Sequence, residues 1–172
     1  HSQAGCPDSQ AARALAPYRA LCTIEPPGTI DGGDVLRIGS TLFVGRSGRT
    51  EPQAISQLRE HVAPHGITVV AVAVKGCLHL KSAVTQIDED RVLVNPAWVN
   101  PGDFGLAWIE VDPDESSAAN ALRLGGSLLY PASYPRTRER LSRAGLTVLS
   151  VDVSELEKAE GAVTCCSLVL QV

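Results

Sequence analysis

Methionine is missing from all 172 residues, and the aromatics number only two Trp, three Tyr and two Phe. A core made from this chain must therefore be built mostly from Leu, Val, Ile and Ala. No apolar run approaches the length of about 20 residues that crosses a bilayer as a helix. The polar start, His1 to Gln10, lacks the apolar h-region of a secretory leader. No C-x-x-C pair is followed by a second ligand pair, so a structural zinc site is not expected. The five cysteines are odd in number and lack framework spacing, which fits reduced thiols in a cytoplasm better than a secreted disulfide scaffold. Positive charge is in deficit as well. Fifteen Lys and Arg against nineteen Asp and Glu give a net charge of −4, with no general attraction to nucleic acid or acidic membranes.

What is present suits one globular domain over 1–172. Apolar residues make up 44% and charged residues 20%, ordinary values for a folded chain. Residues 8–21 suggest a short helix capped by Asp8 and broken at Pro17. Paired glycines at Gly32-Gly33 lead into a strand to Ile38, and Thr41 to Gly45 forms a hairpin with it. Thr50 is placed to cap a helix with Pro52 in its first turn and Ile55, Leu58 and Val62 on its buried side. Ile67 to Val74 predicts a strand buried on both faces. The order then recurs: strands at 83–87 and 91–94, a proline-rich stretch, a strand at 106–111. It recurs again with a segment at 118–124, a strand at 127–130, an arginine-rich helix from Pro135 to Gly145, and a strand at 146–151. Ser154 is placed to cap a final turn. A strand–strand–helix–strand unit repeating about every 40 residues marks a modular α/β architecture. A doubly wound sheet, the rival, would need one strand per helix.

Four stretches carry residues capable of chemistry. Cys165 and Cys166 follow a glycine turn and precede an apolar run expected to be a buried strand. Neighbours on a strand face opposite ways, so only one thiol can face a given pocket. A thiol there is a nucleophile if a base reaches it, and otherwise a small packed residue. His79, between Leu78 and Leu80, is a core histidine or a proton carrier. Asp31-Gly32-Gly33-Asp34 forms a tight turn whose aspartates can bond backbone N–H groups. Gly45 to Thr50 lacks the phosphate-loop pattern, and its arginines are either solvated or a clamp for a carboxylate. Cys6, Cys22 and Cys77 are expected to be incidental or packed thiols, His61 and His65 exposed or capping, and Trp98 and Trp108 core or interface residues. The Arg136 to Arg143 helix is expected to present a solvated face.

In order, Asp31-Gly32-Gly33-Asp34-Val35-Leu36, Phe43-Val44-Gly45 with Ser47 and Arg49-Thr50, Leu78-His79-Leu80-Lys81-Ser82, Ala118-Ala119-Asn120, Ser154 to Lys158 and Gly161 to Ser167 form a connected series. That series resembles the dimethylarginine dimethylaminohydrolase family of the guanidino-modifying pentein superfamily, over about Ile24 to Leu170, with 1–23 a poorly matched lead-in. The resemblance implies a pentein-type β/α propeller with about three of five modules present. It implies hydrolysis of asymmetric dimethylarginine or monomethylarginine to citrulline and a methylamine through a Cys-thiouronium intermediate. Cys165 would be the nucleophile, His79 the general acid and base, and Asp31 the supporting carboxylate. Arg49, Asp34, Ala159 and Ala162 would bind substrate. No cofactor and no metal are implied. The expected partner is a small guanidino substrate, with a second copy or a further N-terminal portion covering open strand edges. A related guanidino hydrolase such as an arginine deiminase, or a non-catalytic binding or assembly module, remain the alternatives.

Overall fold

The computed structural model describes residues 10–18, 20–165 and 167. Among these, nine strands form three separate three-stranded sheets of one design, an antiparallel hairpin followed by a parallel strand. The first sheet holds β1 (Val35–Ile38), β2 (Thr41–Arg46) and β3 (Thr68–Ala73). The second holds β4 (Val84–Gln86), β5 (Arg91–Val94) and β6 (Ala107–Glu110), and the third β7 (Leu122–Leu124), β8 (Ser127–Pro131) and β9 (Thr147–Val151). The tight hairpin turns rest on Gly39 and Gly125, whose φ of 57° and 58° lies in the left-handed region that a side chain disfavours.

A parallel third strand requires a crossover. In the first module α2 (Pro52–Val62) supplies it, and in the third α4 (Pro135–Arg143) does. The second module departs from the expected repeat: between β5 and β6 only a 3-10 turn, Pro101–Phe104, intervenes. Pro96 and Pro101 deny the segment an N–H each, and Gly105 at φ 66° ends the turn. Two of the three hydrophobic clusters lie at the seams between modules. Leu36, Phe43 and Val72 of the first meet Leu80, Val84, Val92 and Phe104 of the second, with the Phe43 and Phe104 rings 5.1 Å apart. Ile87, Leu93 and Val111 then meet Leu128, Tyr130 and Leu141 of the third. The modules are thus welded side by side, and the loops at one end of the seams are held at fixed spacing.

Several expectations are corrected. β3 is not buried on both faces: Val69 and Val72 are buried, whereas Thr68, Ala71 and Ala73 are exposed. The strand expected at 83–87 starts at Val84, because Leu80–Ala83 forms a short helix, α3. Among the described residues the first helix, α1, is Gln10–Leu15, and Asp8 lies outside the described residues. Glu51, not Thr50, stands at the N-cap of α2, since the Thr50 hydroxyl is spent on Asp34. Ser154 is the first residue of α5 (Ser154–Glu157), and its N–H is capped by Asp152. The run expected to be the cysteine strand falls largely outside the described residues, with Cys166 and 168–170. Thr164 and Cys165 themselves sit in a turn.

Candidate active site

The Asp31-Gly32-Gly33-Asp34 stretch folds into a 3-10 turn, Gly32–Asp34, because Asp31 caps it by accepting the Gly33 N–H at 2.9 Å. Asp34 is fully buried and saturated. Its Oδ2 accepts the hydroxyls of Ser47 at 2.5 Å and Thr50 at 2.7 Å, and its Oδ1 accepts the Leu80 N–H at 2.9 Å. A buried carboxylate is tolerable only when so paired. Through these bonds Asp34, which the resemblance places among substrate-binding residues, ties the first module to the start of α3.

His79 is the residue before α3, and Leu80, wholly buried, anchors it. Its ring packs on Gly33, where a Cβ would stand 2.6 Å from the ring's Cγ. Glycine is required there for close approach. His79 Nε2 lies 3.1 Å from Asp31 Oδ2, yet the approach is poorly directed and this buried nitrogen has no hydrogen-bond partner among the described residues. Burial alone would raise the Asp31 pKa, but the Gly33 N–H, His79 and Arg49 outweigh it, and the carboxyl titrates below its ordinary value. Arg49 is half-exposed and stands 3.9 Å from Asp31.

Cys165 is exposed, in the turn after α5 where its N–H donates to Ala162 O at 3.1 Å. Val163 is buried beneath the turn. His79 and Cys165 line one cavity of about 420 Å³ at the seam ends, together with Ala162, Asn120, Trp98, Tyr134, Glu157 and Glu160. Lys81 follows close by. Burial pulls its ammonium below the ordinary range, opposed by Cys165, Asp31 and Asp34, which lie within reach of its charge. Cys77 lines the same cavity with its thiol pushed up to about 11, chiefly by burial, which suppresses its thiolate and hence its reactivity.

Of the residues expected from sequence, His79, Cys165 and Ala162 share the cavity wall, while Asp31 backs the imidazole and Arg49 backs Asp31. Ala159 is exposed and outside the wall. Trp98, expected in core or interface, is a wall residue, and so is Cys77. Tyr134, Glu157, Glu160 and Asn120 also line the wall, and nothing local in the sequence marks them for it. Only Glu160 has a local abnormality, a φ of 56° in a residue other than glycine, and no sequence signal announces it.

Repeated hairpin-plus-parallel-strand modules, with an imidazole and a thiol at their seam ends, define a pentein-type α/β fold. Dimethylarginine dimethylaminohydrolase from Pseudomonas aeruginosa, a cysteine-to-serine variant complexed with citrulline, has this fold with a TM-score of 0.76. It is 32% identical, over 83% of this chain and 56% of that one. An amidinotransferase of saxitoxin biosynthesis from Microseira wollei shares the fold at a TM-score of 0.75 and 17% identity, over 85% of this chain and 48% of that one. The arginine deiminase family model matches residues 18–123, and the chain belongs to that family. N(G),N(G)-dimethylarginine dimethylaminohydrolase of Streptomyces coelicolor is 45% identical over 145 residues, 84% of this chain and 56% of that protein. The chain thus spans little more than half the length of the curated relatives it matches. Among the described residues no helix is long and apolar enough to cross a membrane.

Proposed function

We propose that this protein hydrolyses N-omega-methylated arginine to citrulline and a methylamine, with Cys165 as nucleophile and His79 as general acid and base. The observation that carries the reading is the shared cavity: a thiol and an imidazole far apart in sequence line one space, with a carboxylate behind the imidazole. The relatives named for dimethylarginine hydrolysis support the substrate class.

The chemistry follows from the residues. The Cys165 thiolate attacks the guanidinium carbon, and a C–S bond forms. The C–N bond to the methylated nitrogen then breaks, and His79 delivers the proton that lets nitrogen leave as a neutral amine. A thiouronium remains on Cys165. His79 next takes a proton from water as its oxygen attacks the same carbon. The C–S bond breaks and the proton left on the added oxygen passes to solvent, giving the ureido group of citrulline and the free thiolate. Asp31 backs the imidazole, Lys81 places a cation within reach of the sulfur, and Glu157 and Glu160 present carboxylates to a cationic substrate in the cavity. Arg49 meets the carboxylate of the amino-acid end. The reduced thiols suit a cytoplasmic setting. A second copy or a further portion of the protein would cover the strand edges left open by the sheets.

Incubating the purified chain with asymmetric dimethylarginine and measuring citrulline tests the reading against Cys165→Ser. The expected result is product formation that the variant abolishes. Equal product from both, or none from either at high protein over hours, would sink it.

A further inference from the structure

Asn120 has a place that nothing in the proposed chemistry assigns. It is 5% exposed and lies just before β7, at the seam between the second and third modules. Its backbone is pinned on both sides. The Thr85 hydroxyl donates to Ala119 O at 2.7 Å and accepts the Ala121 N–H at 3.1 Å, and the Tyr130 hydroxyl donates to Ala118 O at 2.7 Å. From this fixed base the side-chain amide reaches two ways. Nδ2 donates to Lys81 O at 3.0 Å, two residues beyond His79, and to Thr164 Oγ1 at 2.8 Å. Oδ1 accepts the Thr164 N–H at 3.2 Å, one residue before Cys165.

We propose that Asn120 is a positioning residue: its one amide locks the turn carrying Cys165 to the helix that follows His79, and so sets the gap between sulfur and imidazole. The inference rests on reading those two side chains as the reacting pair. A primary amide meets the whole demand and a hydroxyl does not, because two hydrogens are donated, to the Lys81 carbonyl and the Thr164 hydroxyl, while the Thr164 N–H needs an acceptor. Both amide hydrogens are committed, so Asn120 has none left to give a substrate although it lines the cavity. Among the described residues the other hydrogen bonds of the Cys165 turn are local, from Cys165 N–H to Ala162 O and from Ser167 to Thr164 O and Val163 O. Val163 is buried beneath it, but Cys165 itself is exposed. A displacement of about 1 Å at such a pair can cost about a hundredfold in rate.

The isosteric Asn120→Asp is the sharpest probe. It keeps an acceptor for Thr164 N–H but sets a carboxylate against the Lys81 carbonyl. Thr164→Val removes one bond from the other side, and Thr164→Ser restores it. The full chain and each variant are alkylated with a cationic haloacetamidine and with neutral iodoacetamide. Mass spectrometry follows Cys165 relative to the exposed Cys22 in the same sample, and urea unfolding and citrulline formation are measured alongside. The ionisable neighbours of the sulfur, Lys81, His79, Glu157 and Glu160, are left in place in the Thr164 variants.

The expected result is that Asn120→Asp loses at least about fivefold of the Cys165 rate relative to Cys22. Thr164→Val should lose about twofold and Thr164→Ser should stay near wild type, all at similar urea midpoints. Ratios unchanged in both Asn120→Asp and Thr164→Val would overturn the inference, whether or not citrulline is made. Lowered ratios without citrulline from the wild-type chain would uphold the clamp and remove the hydrolase reading. Should Asn120→Asp unfold, the Thr164 pair decides alone.

Discussion

The two sides of the cavity are built in opposite ways. The His79 side belongs to the core: Leu80 is fully buried, Asp34 holds its N–H, and the imidazole rests on Gly33. The Cys165 side is hung on the margin, an exposed thiol on a turn tied by Asn120 and by Val163. A proton carrier must be oriented and partly desolvated to be useful, and this calls for a rigid, interior setting. A nucleophile that forms and breaks a bond with each turnover needs access instead. The difference teaches that damage on the two sides will look different. Interior faults should appear first as lost stability, and marginal ones as lost reactivity.

The largest expected effect comes from emptying the interior side. Asp34→Ala strands the Ser47 and Thr50 hydroxyls and the Leu80 N–H together. Thr50 and Leu80 are buried and Ser47 half-buried, and each stranded buried donor costs about 1–3 kcal/mol, so urea unfolding should show a loss of at least about 2 kcal/mol. Asp34→Asn should cost less, since one amide oxygen still faces Leu80 and the hydroxyls can turn to accept. If Asp34→Ala left stability unchanged, the interior description of this side would be wrong.

Gly33→Ala sharpens the comparison, because it touches the imidazole and leaves Asp34 in place. Its Cβ would meet the His79 ring at 2.6 Å from Cγ and 2.8 Å from Nδ1, so the ring must move. Overpacking of this kind costs about 1–3 kcal/mol. Citrulline formation should fall much further than stability, by about a hundredfold if the ring shifts by about 1 Å. Equal turnover in Gly33→Ala and wild type would show that the ring's present seat is not its working one.

How far the sequence discloses this arrangement depends on the range of the interactions. The hairpins, α2, α4 and the strands after them follow from local periodicity and turn residues, so they lie close to where the spacing puts them. The second module misses its helix because the proline-rich stretch cannot form one, a conflict visible at Pro96 and Pro101. Motif position places Asp34 among substrate-binding residues and says nothing about its burial. Its partners lie at 47, 50 and 80 and meet only in space. Asn120 is quoted within the resemblance, but its task depends on Lys81 and Thr164, each about 40 residues away, and no local pattern encodes that. β3 is apolar throughout yet half-exposed, since apolar composition fixes a preference for burial and not the presence of a covering neighbour.

The smallest effect lies where neither side is buried. Arg49 is 52% exposed and 3.9 Å from Asp31, a geometry worth about 0–1 kcal/mol to stability. Arg49 still acts on the titration of Asp31, whose pKa is lowered from 3.8, the backbone and His79 contacts and the arginine together overcoming burial. A carboxyl with a lowered folded pKa adds stability that is complete above the unfolded value of 3.8 and disappears as pH falls through the lower folded one. Arg49→Ala removes one of the lowering influences, so the folded value moves back towards the unfolded one and this contribution shrinks. The acid edge of the unfolding curve should therefore move slightly upward in pH, while stability at pH 7 changes by less than about 1 kcal/mol. In the same variant KM for methylated arginine should rise, because the substrate carboxylate loses its guanidinium. An unmoved KM with a shifted acid edge would leave Arg49 as a partner of Asp31 alone, and would confine substrate recognition to the cavity wall.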